Sequence, residues 1–593
     1  MKRRIISLYR KIRIVFFFSG LVFAGHTITI DGQFQDWDQV PLAYSDPQSS
    51  DQMSADFADV KITYDMEFLF IYFNFYGNEF LLQDWNDFHL LFDTDNNGST
   101  GLAIDGIGAE LDWTFGSRSG IQYLNGSQYE LWQNDITLRV GPTITSQEFE
   151  IGISRYCGPL TMNGSQVMVD GRIIINSGDP TQDQVPDEPG GIYFSIGEDV
   201  VPDPVAIPLE RRHEDDIRII SYNTWNDGIL DDERKPRFKR IIQALDPDVI
   251  ALQEHWDWDE IDDIIQSWFP QEEWFASWTY RDLVVLSRFP ILEDANMISS
   301  ERTMAVLLDT ESELGKDLLV FNSHLSCCAN NDDRQQQVDE FISVWRDWIS
   351  GGDGPFEFEM ETPFVHVGDF NFVGYRQQVE TIRTGDIQNE ADHGPDFPPD
   401  WDSSDIVDLF SRHTHKRMGY TWRSDGSSFN PGKLDYVFYS DATIDTGRHF
   451  TLNTLAIDEG TLLELGLESE DTNQASDHLP RVFDISLSEG LGTKDSQVLP
   501  SVLALHPNYP NPFNPSTVIS YELSEEVRVT INIYDIMGQA VRNIKRSETQ
   551  ITGYHQVYWN ATNDEEKLVS AGVYLYVIQA GEFMHTKKMV LMH

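Results

Sequence analysis

Between residues 217 and 488, apolar stretches repeatedly give way to an amide, an acid or an imidazole, in IRIISYNTW, DVIALQE, LLVFNSHL, FVHVGDFN, KLDYVFYS and ASDHLP. Runs of this length read as buried strands, and PRFKRIIQAL between the first two has a helical period that stops at Asp246-Pro247. The pattern is strand, helix, strand. Neighbouring strands would bring their ends together, and with them Asn223, Glu254, His324, Asp369, Asn371, Asp435, Asp477 and His478.

Such a group has a definite chemical use. Carboxylate oxygens hold Mg²⁺ or a similar hard cation, which neutralises a phosphate and the charge that develops on attack. An imidazole fixed by a carboxylate exchanges protons near neutral pH. Amides hold phosphate oxygens or orient a catalytic acid. Phosphoester hydrolysis needs all three.

SYNT, LQE, SHL, GDFN, LDYVF and SDHLP, in that order over about 270 residues, resemble the endonuclease/exonuclease/phosphatase superfamily, which includes deoxyribonuclease I and neutral sphingomyelinases. The resemblance implies a four-layer α/β sandwich with its site at one edge of two packed sheets. It makes Glu254 the principal ligand of Mg²⁺ or Mn²⁺, with Asn223 beside it and Asp477 completing the metal site. His478, oriented by Asp435, is base or phosphate contact; Asp369 positions or deprotonates water; Asn371 binds phosphate; His324 faces the leaving group. Which of Asp369 and His478 takes the proton stays open. Arg334 and Gln337, just after the His324 motif, stand where relatives contact substrate. Arg281-Asp282 stands where some relatives place an acid that pairs with the first His, but there is no Glu here. The cluster HWDWDEIDDIIQSWF reads as an amphipathic helix.

The rest of the 593 residues exceeds one core, at roughly 100 to 200 residues per domain. Residues 1–24 join six positive charges to the apolar run IVFFFSGLVFA, too short to span roughly 30 Å of bilayer, and read as a secretory signal. No later stretch is long and apolar enough for a membrane span. VPDPVAIPLERRHEDD at 201–216 and the Gly- and Ser-rich 489–503 read as linkers. They divide a β-rich segment (25–200), the central domain (217–488) and a C-terminal domain (504–593). The fold expected is therefore multidomain, a central α/β four-layer sandwich between two all-β sandwiches.

In the first segment VKITYD and FLFIYFNFYG alternate about a turn at Met66-Glu67, a hairpin signal. With ITIDGQFQDW and FDTDNNGSTGLAIDGIGAELDW, it resembles carbohydrate-binding domains of family nine, which implies a glycan partner. Asp93, Asp95 and Asn97 match the first half of a calcium loop, with Ile104 and then Asp105 where a bidentate Glu would close it; the alternative is an Asx-stabilised turn. In the last segment NPFNPST and AGVYLY resemble the type IX secretion sorting domain. That implies handling by the type IX machinery of a two-membrane bacterium, and a secreted or cell-surface protein.

The net charge of −55 excludes a broad basic surface for nucleic acid or anionic membrane. The central segment alone carries roughly thirty more acids than bases, which favours a small phosphodiester over a long polyanion. The phosphoester substrate is expected to be nuclease-like or sphingomyelinase-like. The alternatives are a specialised phosphomonoesterase and a catalytically inactive glycan-binding surface protein. Three cysteines make no disulfide framework, and Cys327 and Cys328 are expected as buried small side chains.

Overall fold

The computed structural model describes residues 25–488 apart from 50–54, 163–165, 179–182, 198–200, 258–259, 280 and 353, and, of the C-terminal segment, 504–505, 511, 513, 517–523, 527–535, 539–550, 553–563, 567–580 and 583–592. The expected signal segment 1–24 and linker 489–503 lie outside the described residues. Two compact units divide at residue 492.

The central domain is built on two six-stranded sheets. One runs Phe275–Trp278, Val284–Ser287, Val249–Gln253, Ile217–Asn223, Arg481–Leu487, Ile444–Thr451; the other runs Ile291–Asn296, Thr303–Leu308, Leu318–His324, Phe364–Asp369, Asp435–Tyr439, Val407–Asp408. Each contains one parallel pair, Ile217–Asn223 with Val249–Gln253 and Leu318–His324 with Phe364–Asp369. The facing sides bury Ile219, Ala251, Val285, Val306, Val320, Val367 and Phe483 in one core. Because both faces of these strands are covered, they read as continuous apolar runs rather than alternating ones.

Helices complete the four layers. Lys235–Leu245 buries Phe238, Ile241, Ile242 and Leu245, the one-face spacing of its sequence, and stops where Asp246 turns left-handed (φ 47°) before Pro247. Ile261–Trp268 buries Ile261, Ile265 and Trp268 on the same sheet, as the Trp- and acid-rich cluster predicts. Asn331–Ile349 and Arg376–Thr384 cover the other sheet. Between the sheets, Gln253 Nε2 donates to Asn322 Oδ1 at 2.7 Å, while Asn322 Nδ2 donates to the carbonyls of Leu252 and Val284. Arg218 and Asp484, both buried, form a two-pronged ion pair at 2.6 and 2.9 Å.

The first domain is a β-sandwich. A five-stranded sheet centred on the hairpin Phe57–Tyr64 and Phe68–Phe75 packs on a seven-stranded sheet around His89–Asp93, with Phe73, Phe92, Trp113 and Ile151 between them. It is seated on the central domain. Ile28, Ile30, Trp37, Phe70 and Tyr72 share a buried cluster with Met418, Tyr420 and Leu479, and Ile30 and Thr145 exchange backbone hydrogen bonds with Arg417, Gly419 and Gly374. The Pro-rich stretch 201–216 is not the free linker its composition suggests. Leu209 is buried in the central core, Ile207 N–H donates to the Thr414 carbonyl, and Arg412 donates to the Val205 carbonyl, so it runs as a strap along the domain.

The second unit holds a three-stranded sheet (Ala504–Leu505, Thr517–Leu523, Gly553–Trp559) and a four-stranded one (Ala540–Gln550, Val527–Asp535, Gly572–Ala580, Phe583–Leu591). Ile519, Ile531, Trp559 and Tyr576 form its core. Among the described residues no helix is long and apolar enough to cross a membrane.

Candidate active site

The two parallel pairs end at the same edge of the sandwich, and there the polar groups meet. Asn223 closes its strand fully buried; its Nδ2 donates to Asp369 at 3.0 Å and Glu254 at 3.2 Å, and its Oδ1 accepts from the Trp225 backbone. Its amide thus ties carboxylates from the two sheets together, with the nitrogen rather than the oxygen turned toward them. Glu254 follows Gln253 in the left-handed region (φ 56°), as does Asn371 after Asp369 (φ 53°). That conformation is uncommon for a Glu, while Asn adopts it more readily, and strained backbone of this kind clusters at functional sites.

On the second sheet, His324 and Asp369 are registered neighbours across a parallel pair, and Asp369 and Asp435 across an antiparallel one. His478 Nδ1 lies 2.9 and 3.1 Å from the Asp435 carboxylate oxygens, and its Nε2 lies 3.6 Å from Asp369. His324 Nε2 approaches Asp369 from the other side at 3.7 Å. Asp369 therefore sits between two imidazoles, and its Oδ1 accepts from the Asn371 backbone at 3.0 Å. Asp477 lines the same cleft and accepts from Trp422 Nε1 at 3.0 Å.

Burial sets the electrostatics. It pushes the Asp369 carboxyl up, reinforced by Asp435 and opposed by His478 and His324, to about 6. Burial alone would strip His478 of its proton, but the charges of Asp435 and Asp369 outweigh it and raise the group to about 10. His324 is likewise raised, burial being overcome by Asp282 and Asp369. Asp477 is raised by burial.

One member is missing from the sequence expectation. Asp282, fully buried, holds His324 Nδ1 at 2.5 Å, so the acid that pairs with the first imidazole is an Asp at this position. The signal was present in Arg281-Asp282, read only for a Glu. Arg334 and Gln337 do not reach the cleft. Arg334, fully buried, donates to the carbonyls of Ser326 and Cys328, and Gln337 bonds the backbone and hydroxyl of Ser326. They brace the loop after His324 from beneath, because the helix that carries them packs this face on the sheet. Cys327 and Cys328 are free and exposed on that loop, not buried as expected, since the chain leaves the sheet at His324; Cys157 is buried.

The donor set suits a hard dication. Ligand atoms of Glu254, His324 and Asp369 lie within 4.8 Å of one another, as do those of Asp369, Asp435 and His478. The carboxylates of Glu254, Asp369, Asp435 and Asp477 outnumber the two imidazoles among them. In the first domain Asp93 and Asp95 converge with Glu110, not Asp105. Asp95 N–H and Asn97 N–H both donate to Asp93 Oδ1 at 3.3 Å, so the loop also has the Asx-turn bonding expected of it.

Comparison with known proteins agrees with this layout. Residues 220–478 match the Endonuclease/Exonuclease/phosphatase family, and residues 508–592 match the Secretion system C-terminal sorting domain. No curated relative matches the chain. Among solved structures, the human Nocturnin catalytic domain with bound sulfate is 17% identical, over 46% of this chain and 96% of that one, with a TM-score of 0.30. An endonuclease/exonuclease/phosphatase from Beutenbergia cavernae is 16% identical over 64% of this chain and all of that one, with a TM-score of 0.29. D. rerio TDP2 complexed with single-strand DNA product is 16% identical over 46% and 99%, with a TM-score of 0.30. The central domain is thus an endonuclease/exonuclease/phosphatase family domain, and the chain ends in a type IX sorting domain that directs it to export.

Proposed function

We propose that the protein is an exported, metal-dependent phosphoester hydrolase acting on a phosphodiester. The observation that carries this reading is the convergence of Asn223 and Glu254 from one sheet with His324, Asp369 and Asp435 from the other, His478 closing the group. Glu254, with Asp477 lining the same cleft, would hold Mg²⁺ or Mn²⁺. When bound, that cation supplies charge neutralisation at the phosphate.

The chain's own residues divide the remaining work. Asp369, near its point of ionisation at neutral pH, accepts the proton of the attacking water. His478, kept protonated by Asp435, donates to a phosphate oxygen and stabilises developing negative charge. Asn371 donates to a second oxygen. His324, oriented by Asp282, serves the leaving group. This assigns the base to Asp369, the choice the sequence left open.

The test is hydrolysis of bis-p-nitrophenyl phosphate, single-stranded DNA, RNA and sphingomyelin by the full chain with Mg²⁺ or Mn²⁺. His478→Ala and Glu254→Gln are run beside it. Cleavage lost in both variants and in EDTA is the expected result. Folded, metal-loaded protein that cleaves none of them would overturn it.

A further inference from the structure

The cleft over Asp369 and His478 has a volume of about 440 Å³, and one of its walls does not belong to the catalytic domain. Leu81, Trp85 and Thr143 come from the first domain and line the cleft together with Val373, Trp422 and Phe429 of the catalytic domain. Trp85 is 62% exposed, and its backbone is left-handed (φ 55°). A Trp in that conformation is strained by about 1 kcal/mol or more, and an exposed indole recovers little of it by packing.

The loop that presents it is nevertheless firmly held. Asn86 Nδ2 donates to the carbonyls of Leu81, Leu82 and Asp84 at 2.7, 2.8 and 2.9 Å. Arg118 donates to the Gln83 carbonyl at 2.9 Å and lays its guanidinium 4.0 Å over the ring of Phe429, itself 41% exposed. The Trp85 ring lies 6.2 Å from that of Tyr375 in the catalytic domain. One arginine thus couples the loop of one domain to an aromatic of the other, on the lip of the reaction cleft.

We propose that the first domain is a part of the reaction site, and that Trp85 with Phe429 forms an aromatic wall that takes a flat ring carried next to the reacting phosphate. This rests on the hydrolase reading and narrows it. A rigid, exposed indole beside a phosphate site fits the face of a nucleobase, because every base offers a π-face. A duplex keeps its bases turned inward and cannot offer one. The acidic cleft disfavours a long polyanion, so the substrate is a dinucleotide or the end of a single strand.

The test compares the full chain with Trp85→Ala and Trp85→Phe on two phosphodiesters, a thymidine dinucleotide and glycerophosphocholine, which lacks a ring. Loss of one stacked base should raise KM for the dinucleotide roughly 5- to 100-fold, lower its selectivity over glycerophosphocholine, and be largely rescued by Phe. Equal effects on both substrates, or none, overturn the proposal, as does cleavage confined to sphingomyelin vesicles. Calorimetric binding of adenosine monophosphate needs no turnover. If the wild type cleaves nothing, the hydrolase reading falls, while weaker nucleotide binding by Trp85→Ala still supports the wall and unchanged binding refutes it.

Discussion

Asp435→Asn removes a charge and keeps a shape, and its cost can be worked from the site. His478 is raised from 6.5 to about 10, which corresponds to roughly 5 kcal/mol of preference for the imidazolium. At an effective dielectric constant of about 20, a carboxylate at the 2.9 Å of Asp435 attracts it by roughly 6 kcal/mol, and one at the 3.6 Å of Asp369 by roughly 5. The burial penalty stays when Asp435 loses its charge, so the substitution forfeits the whole attraction of about 6 kcal/mol and with it all of the net preference. Because the folded value lies above the ordinary one, this stabilisation is complete below pH 6.5 and is lost as pH rises through about 10. In Asp435→Asn the midpoint of His478 should fall by roughly 4 units, to about 6, and turnover should drop roughly 10²- to 10⁴-fold. The assay is an NMR titration of the imidazole Cε1–H in metal-free protein, with His478→Ala identifying the resonance. A wild-type midpoint near 6.5, or the same midpoint in both proteins, would refute the reasoning.

Asp282→Ala should lower kcat roughly 10- to 100-fold and reduce the proton affinity of His324; an unchanged pH–rate profile would show that the pair does not support the chemistry. Activity should fall as pH drops below about 6, where Asp369 takes up its proton, and saturating Mg²⁺ should move that limb to lower pH, which steady-state profiles at two metal concentrations will read. Asp484→Ala leaves the Arg218 cation buried and unpaired and should cost about 3–5 kcal/mol, seen by calorimetry as a lower melting transition. A thiol reagent should modify Cys327 and Cys328 in the native protein and reach the buried Cys157 only on unfolding.

The gathering of these polar groups at one edge was largely legible because parallel strands place their terminal residues together, so that SYN, LQE, SH and GDFN each carry a strand and its terminal group in a few consecutive letters. Asp282 was harder to read. It precedes its strand rather than ending one, and only the approach of His324, 42 residues away, gives it a purpose. The seating of the first domain left no local trace at all. Ile30 against Met418, or Trp85 beside Tyr375, joins residues hundreds of positions apart, and the Pro-rich stretch between the domains has the composition of a spacer although it lies pinned. Arg334 showed the converse failure: its proximity in sequence to His324 suggested contact with substrate, whereas a fully buried guanidinium spends its donors on the carbonyls around it.

The bridge from Gln253 to Asn322 has a consequence for how the site can fail. Gln253 stands one position before Glu254 and Asn322 two before His324, so this bond is a stitch across the seam at which the two halves of the site meet. An apolar core resists separation of the two sheets but is tolerant of a small slide, because dispersion contacts have little directional preference. A buried amide pair is directional and fixes alignment. Loss of the stitch would leave a folded protein whose two half-sites no longer meet at the distance the chemistry requires, a lesion felt first in turnover and only later in melting temperature.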